Sequence, residues 1–186
     1  MPKPSWKEEL HRRLERLGEA GRVLRLAVVG VGIMGQIFVQ MLKELQAESF
    51  VMDVSQARLE RARRYGANHV FNSAEGGVVE KILSLTDNEG VDVVLLTFLT
   101  QQILDEAMAY TRDGGKLVVF APPIKELELK MNYFDFFRRE MRMFSSYSSS
   151  IADIETTMQW IASKKVDVED LITGYCTLDT FQSTVE

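Results

Sequence analysis

Apolar positions along this chain follow two alternating patterns. Leu24-Arg25-Leu26-Ala27-Val28-Val29, Val91-Asp92-Val93-Val94-Leu95-Leu96-Thr97 and Leu117-Val118-Val119-Phe120 are short runs apolar on both faces, which predict buried parallel strands. Shorter runs at 50–53 and 69–71 predict two more. Between the strands the spacing becomes helical. Ile37, Phe38, Met41, Leu42 and Leu45 mark a helix over 34–47, and Val78, Val79, Ile82, Leu83 and Leu85 one over 76–85. Ile103, Leu104, Ala107 and Met108 mark another over 101–111, and 56–65 reads as a helix with Ser55 as its cap and Gly66 as its stop. Asp113-Gly114-Gly115 predicts a turn, and Pro122-Pro123 ends the strand before it.

Beyond Pro123 the pattern predicts an alternating, strand-like segment over 126–131, a strand near 142–147, a helix over 152–163, a short strand around 171–173 and a helix from Asp179. At the other end, Ser5 and Glu8 make a capping box. Trp6, Leu10, Leu14 and Leu17 then share one helical face, with Gly18 as a stop and Arg12, Arg13, Glu15 and Arg16 on the solvated side. Strands alternating with helices predict an α/β fold: a doubly wound parallel sheet of about six strands with right-handed crossovers. The domain plan is an amphipathic helix over 1–21, packed on the domain or on a partner, and one sheet domain over 22–186.

Composition narrows the classes. With 186 residues the chain can bury a full core. A net charge of −5 argues against a nucleic-acid or anionic-membrane surface. No apolar run reaches the length of a membrane span, and the first residues lack the apolar centre of a signal peptide. The one cysteine, Cys176, excludes an internal disulfide and suits a reducing cytoplasm. His11 and His69 are the two histidines, so no zinc site of nitrogen and sulfur ligands is expected.

The chemistry concentrates at residues 24–53. The first strand runs into Gly30-Val31-Gly32-Ile33-Met34-Gly35, a helix follows, and Phe50-Val51-Met52 ends in Asp53. Strand, glycine turn, helix and a second strand closed by an acid form the pattern that binds a dinucleotide. Gly30 permits the tight turn, Gly32 lets the backbone approach a pyrophosphate, and Gly35 lets the helix pack closely. Free amides near Ile33 and Met34, with the helix dipole, favour phosphate. Asp53 would accept hydrogen bonds from the adenosine ribose and repel a 2′-phosphate, so the expected cofactor is NAD rather than NADP. The alternative is a glycine turn that binds nothing.

From Val23 to Glu186 these residues resemble the coenzyme-binding (Rossmann) domain of medium-chain zinc-type alcohol dehydrogenases, closest to the sorbitol and threonine dehydrogenase branch. The blocks that carry it are Asp53 with Arg58, Leu59, Ala62 and Tyr65-Gly66-Ala67, then Gly90 to Val94, Gly114 to Phe120, Phe144 to Ser148, Ile161 to Asp167, and Leu171-Ile172-Thr173. The resemblance implies that Val54 and Arg58 lie beside the adenosine ribose, where Arg58 could equally be a solvated helix charge. It implies that Thr97 and Phe98 flank the adenine and nearby ribose. It also implies that Phe120 and Ala121 meet the nicotinamide, with Ser145 to Tyr147 at the next strand end. Phe120 could equally be core, and Tyr147 simply packed.

Departures from the family set the rest of the expectation. Members carry a separate catalytic domain that supplies the zinc ligands, and only residues 1–21 precede the first strand here. Leu96-Thr97-Phe98-Leu99 stands where the family often has Glu-Ala-x-Gly. Three readings follow: an NAD(H)-binding half of an alcohol or polyol dehydrogenase, completed by a catalytic-domain partner chain; a non-catalytic NAD(H)-responsive module; or a remnant that dimerises and binds nothing. All expect a homodimer, with Leu127-Glu128-Leu129-Lys130-Met131 as the edge strand to be covered.

Overall fold

The computed structural model describes residues 23–120 and 127–185. The expected helix over 1–21, Pro122-Pro123 and the candidate Ala121 lie outside them. Six strands form one parallel sheet: β1 (Arg25–Val29), β2 (Glu48–Asp53), β3 (His69–Asn72), β4 (Val91–Leu96), β5 (Thr111–Val119) and β6 (Arg142–Ser145). Their spatial order is β3-β2-β1-β4-β5-β6. The chain winds outward one way from β1 and the other way from β4, so the strand order reverses between these two. In sheets of this kind a ligand crevice opens at the carboxyl ends of the strands at that reversal.

The helices that connect the strands are α1 (Ile33–Glu44), α2 (Gln56–Arg64), α3 (Val78–Leu85) and α4 (Gln101–Tyr110). After β5 come α5 (Tyr133–Arg138), α6 (Ile151–Ala162) and α7 (Phe181–Val185). The two faces of the sheet bury separate cores. One joins Phe50, Met52, Ile82, Leu96, Leu104 and Leu117, and the other joins Val28, Phe38, Leu42, Val51, Leu59 and Val93. All six residues of β4 are buried, as runs apolar on both faces require. Asp92 is the polar exception within it. Its carboxylate accepts the Arg25 N–H at 2.9 Å and pairs with the Arg112 guanidinium, so the buried charge is neutralised where it lies.

Several expectations shift. The Asp113-Gly114-Gly115 signal falls inside β5, where pairing steps from Val91↔Thr111 to Val93↔Lys116. The extra residues bulge out of the ladder, and Gly114 takes a left-handed φ of 70° there. The segment 127–131 forms no strand. The Gln101 side-chain amide takes both backbone groups of Lys130 at 2.7 Å each, so a side chain occupies what a ladder partner would bond. Its alternation arises because Leu129 packs against the core. Residues Glu169–Leu171 form a 3₁₀ turn in place of the strand expected at 171–173, and a second, Leu178–Thr180, precedes α7. The aromatic stretch after Asn132 is the short helix α5, capped by the Asn132 side chain, which accepts from the Asp135 N–H at 3.2 Å.

Candidate nucleotide-binding site

The site grows out of the carboxyl ends of β1 and β2. Leaving β1, the chain turns sharply at Gly30, whose φ of 83° is left-handed and whose N–H donates to the Met52 carbonyl at 2.8 Å. A Cβ there would stand 2.5 Å from Thr97 Oγ1. That hydroxyl lies 2.9 Å from both the Val29 and the Gly30 carbonyl oxygens, so it locks the turn from the side of β4. At Gly35 a Cβ would stand 2.1 Å from the Gly30 carbonyl oxygen. Neither position admits a side chain, and in both the obstacle is the protein's own backbone or a side chain fixed to it.

Gly32 is different. Its backbone (φ −63°, ψ −160°) suits any L-residue, and a Cβ built on it meets nothing within 4 Å. It caps α1 without a side-chain hydrogen bond, and the first turn of α1 carries no acidic residue. The amides of that turn have no intrahelical acceptor, and the positive end of the helix dipole faces open space. Fold and sterics allow serine or aspartate at this position, and both cap better than glycine. The missing side chain leaves a cradle in front of the amides that fits an external anion.

Asp53 closes β2 beside the turn and is buried, at 7% exposure. Its Oδ2 accepts the Val31 N–H and its Oδ1 accepts the Ser55 N–H, each at 2.8 Å. The carboxylate therefore shapes the turn, and each oxygen keeps a second lone pair for a ribose hydroxyl. Ser55 occupies the cap position of α2 without a side-chain capping bond. Arg58 Nη1 stands 3.7 Å from Asp53 Oδ2 and is more than half exposed, so it lies beside the acid. Val54, Ile33 and Phe98 are exposed around the same crevice.

At the switch side, Phe120 donates its N–H to the Leu96 carbonyl at 2.9 Å and stacks edge-on against Phe38, centroids 4.9 Å apart. Its ring packs with the core face of α1. Ser146 donates its N–H to the Val119 carbonyl at 3.0 Å, and Tyr147 is almost fully exposed.

One residue at the site escaped the sequence reading. Gln36, 2% exposed, donates from Nε2 to the Val31 carbonyl at 3.0 Å and to the Arg58 carbonyl at 2.8 Å. It thus ties the glycine turn to α2. One helical turn on, Gln40 and Asp167 exchange hydrogen bonds of 3.0 and 2.6 Å. Two glutamines four residues apart beside Val39 and Phe38 were the available signal. The buried face of α1 is rotated towards them and away from Leu45. Among the described residues no three His, Cys, Asp or Glu side chains converge on a point that could hold a metal.

Comparison with known proteins agrees with this geometry. The sorbitol dehydrogenase of Bacillus subtilis (strain 168) is 28% identical over 162 residues, covering 87% of this chain and 45% of that protein. The chain thus spans about half the length of the curated relatives it matches. The fold superposes with a TM-score of 0.80 on the alcohol dehydrogenase TADH from Thermus sp. ATN1, at 21% identity over 91% of this chain and 50% of that one. A putative zinc-binding dehydrogenase from Sinorhizobium meliloti 1021, solved bound to NADP, gives 0.72 at 21% identity over 81% of this chain and 45% of its own. The zinc-binding dehydrogenase family profile matches residues 32–163, and the chain belongs to that family as a coenzyme-binding domain of Rossmann type.

Proposed function

We propose that this domain holds NAD(H) for an alcohol or polyol dehydrogenase, with the pyrophosphate over Gly32 and the adenosine ribose on Asp53. The observation that carries the reading is Gly32, a glycine that neither the backbone nor the packing of this chain requires. Gly30 and Gly35 serve the turn. Ile33 and Met34 offer backbone amides, and Gln36 and Thr97 hold the loop that presents them. Phe98 and Val54 line the adenosine end, and Phe120 the nicotinamide end. When bound, the nicotinamide supplies hydride transfer. The chain's own groups bind it and orient it, and substrate recognition and zinc fall to the other half of a complete dehydrogenase.

NAD is favoured over NADP because the Asp53 carboxylate is fixed by two backbone donors and cannot swing away from a 2′-phosphate. Arg58 lies close enough to soften that repulsion. Titration of the purified chain with NADH and NADPH, followed by calorimetry, tests the reading. Tighter NADH binding by at least about tenfold, roughly 1.4 kcal/mol, is expected. Equal or tighter NADPH binding would reverse the assignment.

The same reading includes a homodimer. The open edge of β6, together with exposed Tyr133, Phe134, Phe137 and Phe144, replaces the segment 127–131 as the surface a second copy would cover.

A further inference from the structure

Gln36 stands at a buried position of α1 where stability alone favours an apolar residue. Both hydrogens of its Nε2 are used, one on the Val31 carbonyl at 3.0 Å and one on the Arg58 carbonyl at 2.8 Å. Its Oε1 is buried and has no hydrogen-bond partner among the described residues. A buried acceptor left in that state costs about 1–3 kcal/mol, and methionine, of similar length, carries no such acceptor. What explains the amide is where its two donors go.

Both acceptors belong to residues that already meet through Asp53. The Val31 N–H donates to Asp53 Oδ2 at 2.8 Å, and Arg58 Nη1 stands 3.7 Å from the same oxygen. Val31, Gln36, Arg58 and Asp53 thus close a ring of contacts, with Asp53 as one link between Val31 and Arg58 and Gln36 as the other. The Asp53 link ends in a guanidinium that is more than half exposed and is weakened by solvent. The Gln36 link runs from a buried side chain to backbone at both ends.

Two segments meet at this ring. One is the glycine turn, which leads to the free amides of Ile33 and Met34. The other runs from Asp53 through Ser55 into the first turn of α2. A ligand that spans both needs their spacing to match its own. Binding groups fixed at that spacing beforehand spare the cost of ordering them, and supporting hydrogen bonds are what fix them.

We propose that Gln36 is a positioning residue that sets the spacing between the phosphate cradle and the ribose acceptor. The proposal rests on the nucleotide reading given above and deepens it. Gln36 acts through Val31 and Arg58 and needs no contact with the ligand. Gln40 supplies the contrast. It is also buried and also makes two hydrogen bonds, but both go to the backbone of Asp167, away from the two segments.

The test compares Gln36→Met with Gln40→Met, which remove the same amide one helical turn apart. Both should lose stability in urea. Calorimetry should show NADH binding weakened at least about tenfold in Gln36→Met and held within about twofold of wild type in Gln40→Met. Adenosine reaches only the ribose side, so its binding to Gln36→Met, read by ligand-observed NMR, should stay within about twofold of wild type. Gln36→Asn carries the amide on a stem one carbon shorter. It should behave as Gln36→Met does, and it takes that variant's place if Gln36→Met does not fold. An equal loss of NADH affinity in Gln40→Met, or an equal loss for adenosine and NADH in Gln36→Met, would overturn the proposal, because the amide would then serve stability alone. NADH binding by the wild type that the Gln36 variants keep would overturn the proposal and leave the nucleotide reading standing. No NADH binding by the wild type would overturn that reading and the proposal with it.

Discussion

The β1–β2 region and the β6 edge of the sheet differ in how far they close on themselves. At the β1–β2 side the turn is shaped from within the chain: Asp53 pairs with two amides, Thr97 with the turn carbonyls and Gln36 Nε2 with the Val31 and Arg58 carbonyls, while the buried Gln36 Oε1 has no hydrogen-bond partner among the described residues. The space in front of Gly32 is open, a Cβ there meeting nothing within 4 Å. At the β6 end, α5 and α6 present aromatic and aliphatic side chains to solvent, and among the described residues no strand pairs with the outer edge of β6. On the proposed reading, the first region serves a small anionic ligand and the second serves other pieces of protein.

The largest expected effect breaks the turn itself. Gly35→Ala places a Cβ against the Gly30 carbonyl oxygen, and overpacking against backbone costs about 3 kcal/mol. Thermal denaturation should show a melting temperature lower by about 10 °C; an unchanged value would mean the loop and α1 are not packed as described.

Asp53→Asn comes next. The amide nitrogen must face one of two N–H donors, at a cost of about 1–3 kcal/mol. The variant should lose stability in urea even without nucleotide, and its preference for NADH over NADPH should shrink. Full stability would show that the carboxylate serves ligand alone.

The β6 end is tested by assembly. Sedimentation at high micromolar concentration should give a dimer, and Phe134→Asp/Phe137→Asp a monomer. A wild-type monomer would remove the second copy from the account.

The smallest effect lies at the surface pair Tyr65–Asp170, joined by a 2.9 Å hydrogen bond. Burial, then the bond to Asp170, pushes the Tyr65 hydroxyl up to about 12 from 10.0. The Tyr65 hydroxyl, then Arg61 and Arg64, holds Asp170 below 3.8. Asp170, lowered on folding, stabilises above pH 3.8, and that contribution is lost as pH falls through its folded value. Tyr65, raised on folding, stabilises below pH 10, and its contribution is lost as pH climbs towards 12. The gap in melting temperature between wild type and Tyr65→Phe should therefore be flat between these limits and close at both extremes. A gap that persists at both extremes would assign the pair no role.

Much of the first region was legible in the sequence. Buried parallel strands read as unbroken apolar runs, and the glycine turn, its helix and Asp53 sit at spacings that few other structures impose. Gln36 was passed over because the helical stripe was drawn from apolar residues alone, although Gln36 and Gln40 keep a helical four-residue spacing beside it. In the second region the pattern misled at 127–131. Alternation there records one side chain packed on the core, and ladder pairing depends on a partner that local sequence does not name. The short helix α5 was hidden for a related reason. Tyr133, Phe134 and Phe137 point outward and only Phe136 packs on the core, so no inward stripe marks them as helical.

Gly32 decides the central claim. Gly32→Asp introduces a better helix cap and a negative charge into open space, so stability in urea should stay the same or rise by a few tenths of a kcal/mol. NADH binding, measured by calorimetry on the same preparation, should fall at least about tenfold, roughly 1.4 kcal/mol. Undiminished NADH affinity in a stable Gly32→Asp protein would contradict the account, because the cradle in front of α1 would then hold no pyrophosphate.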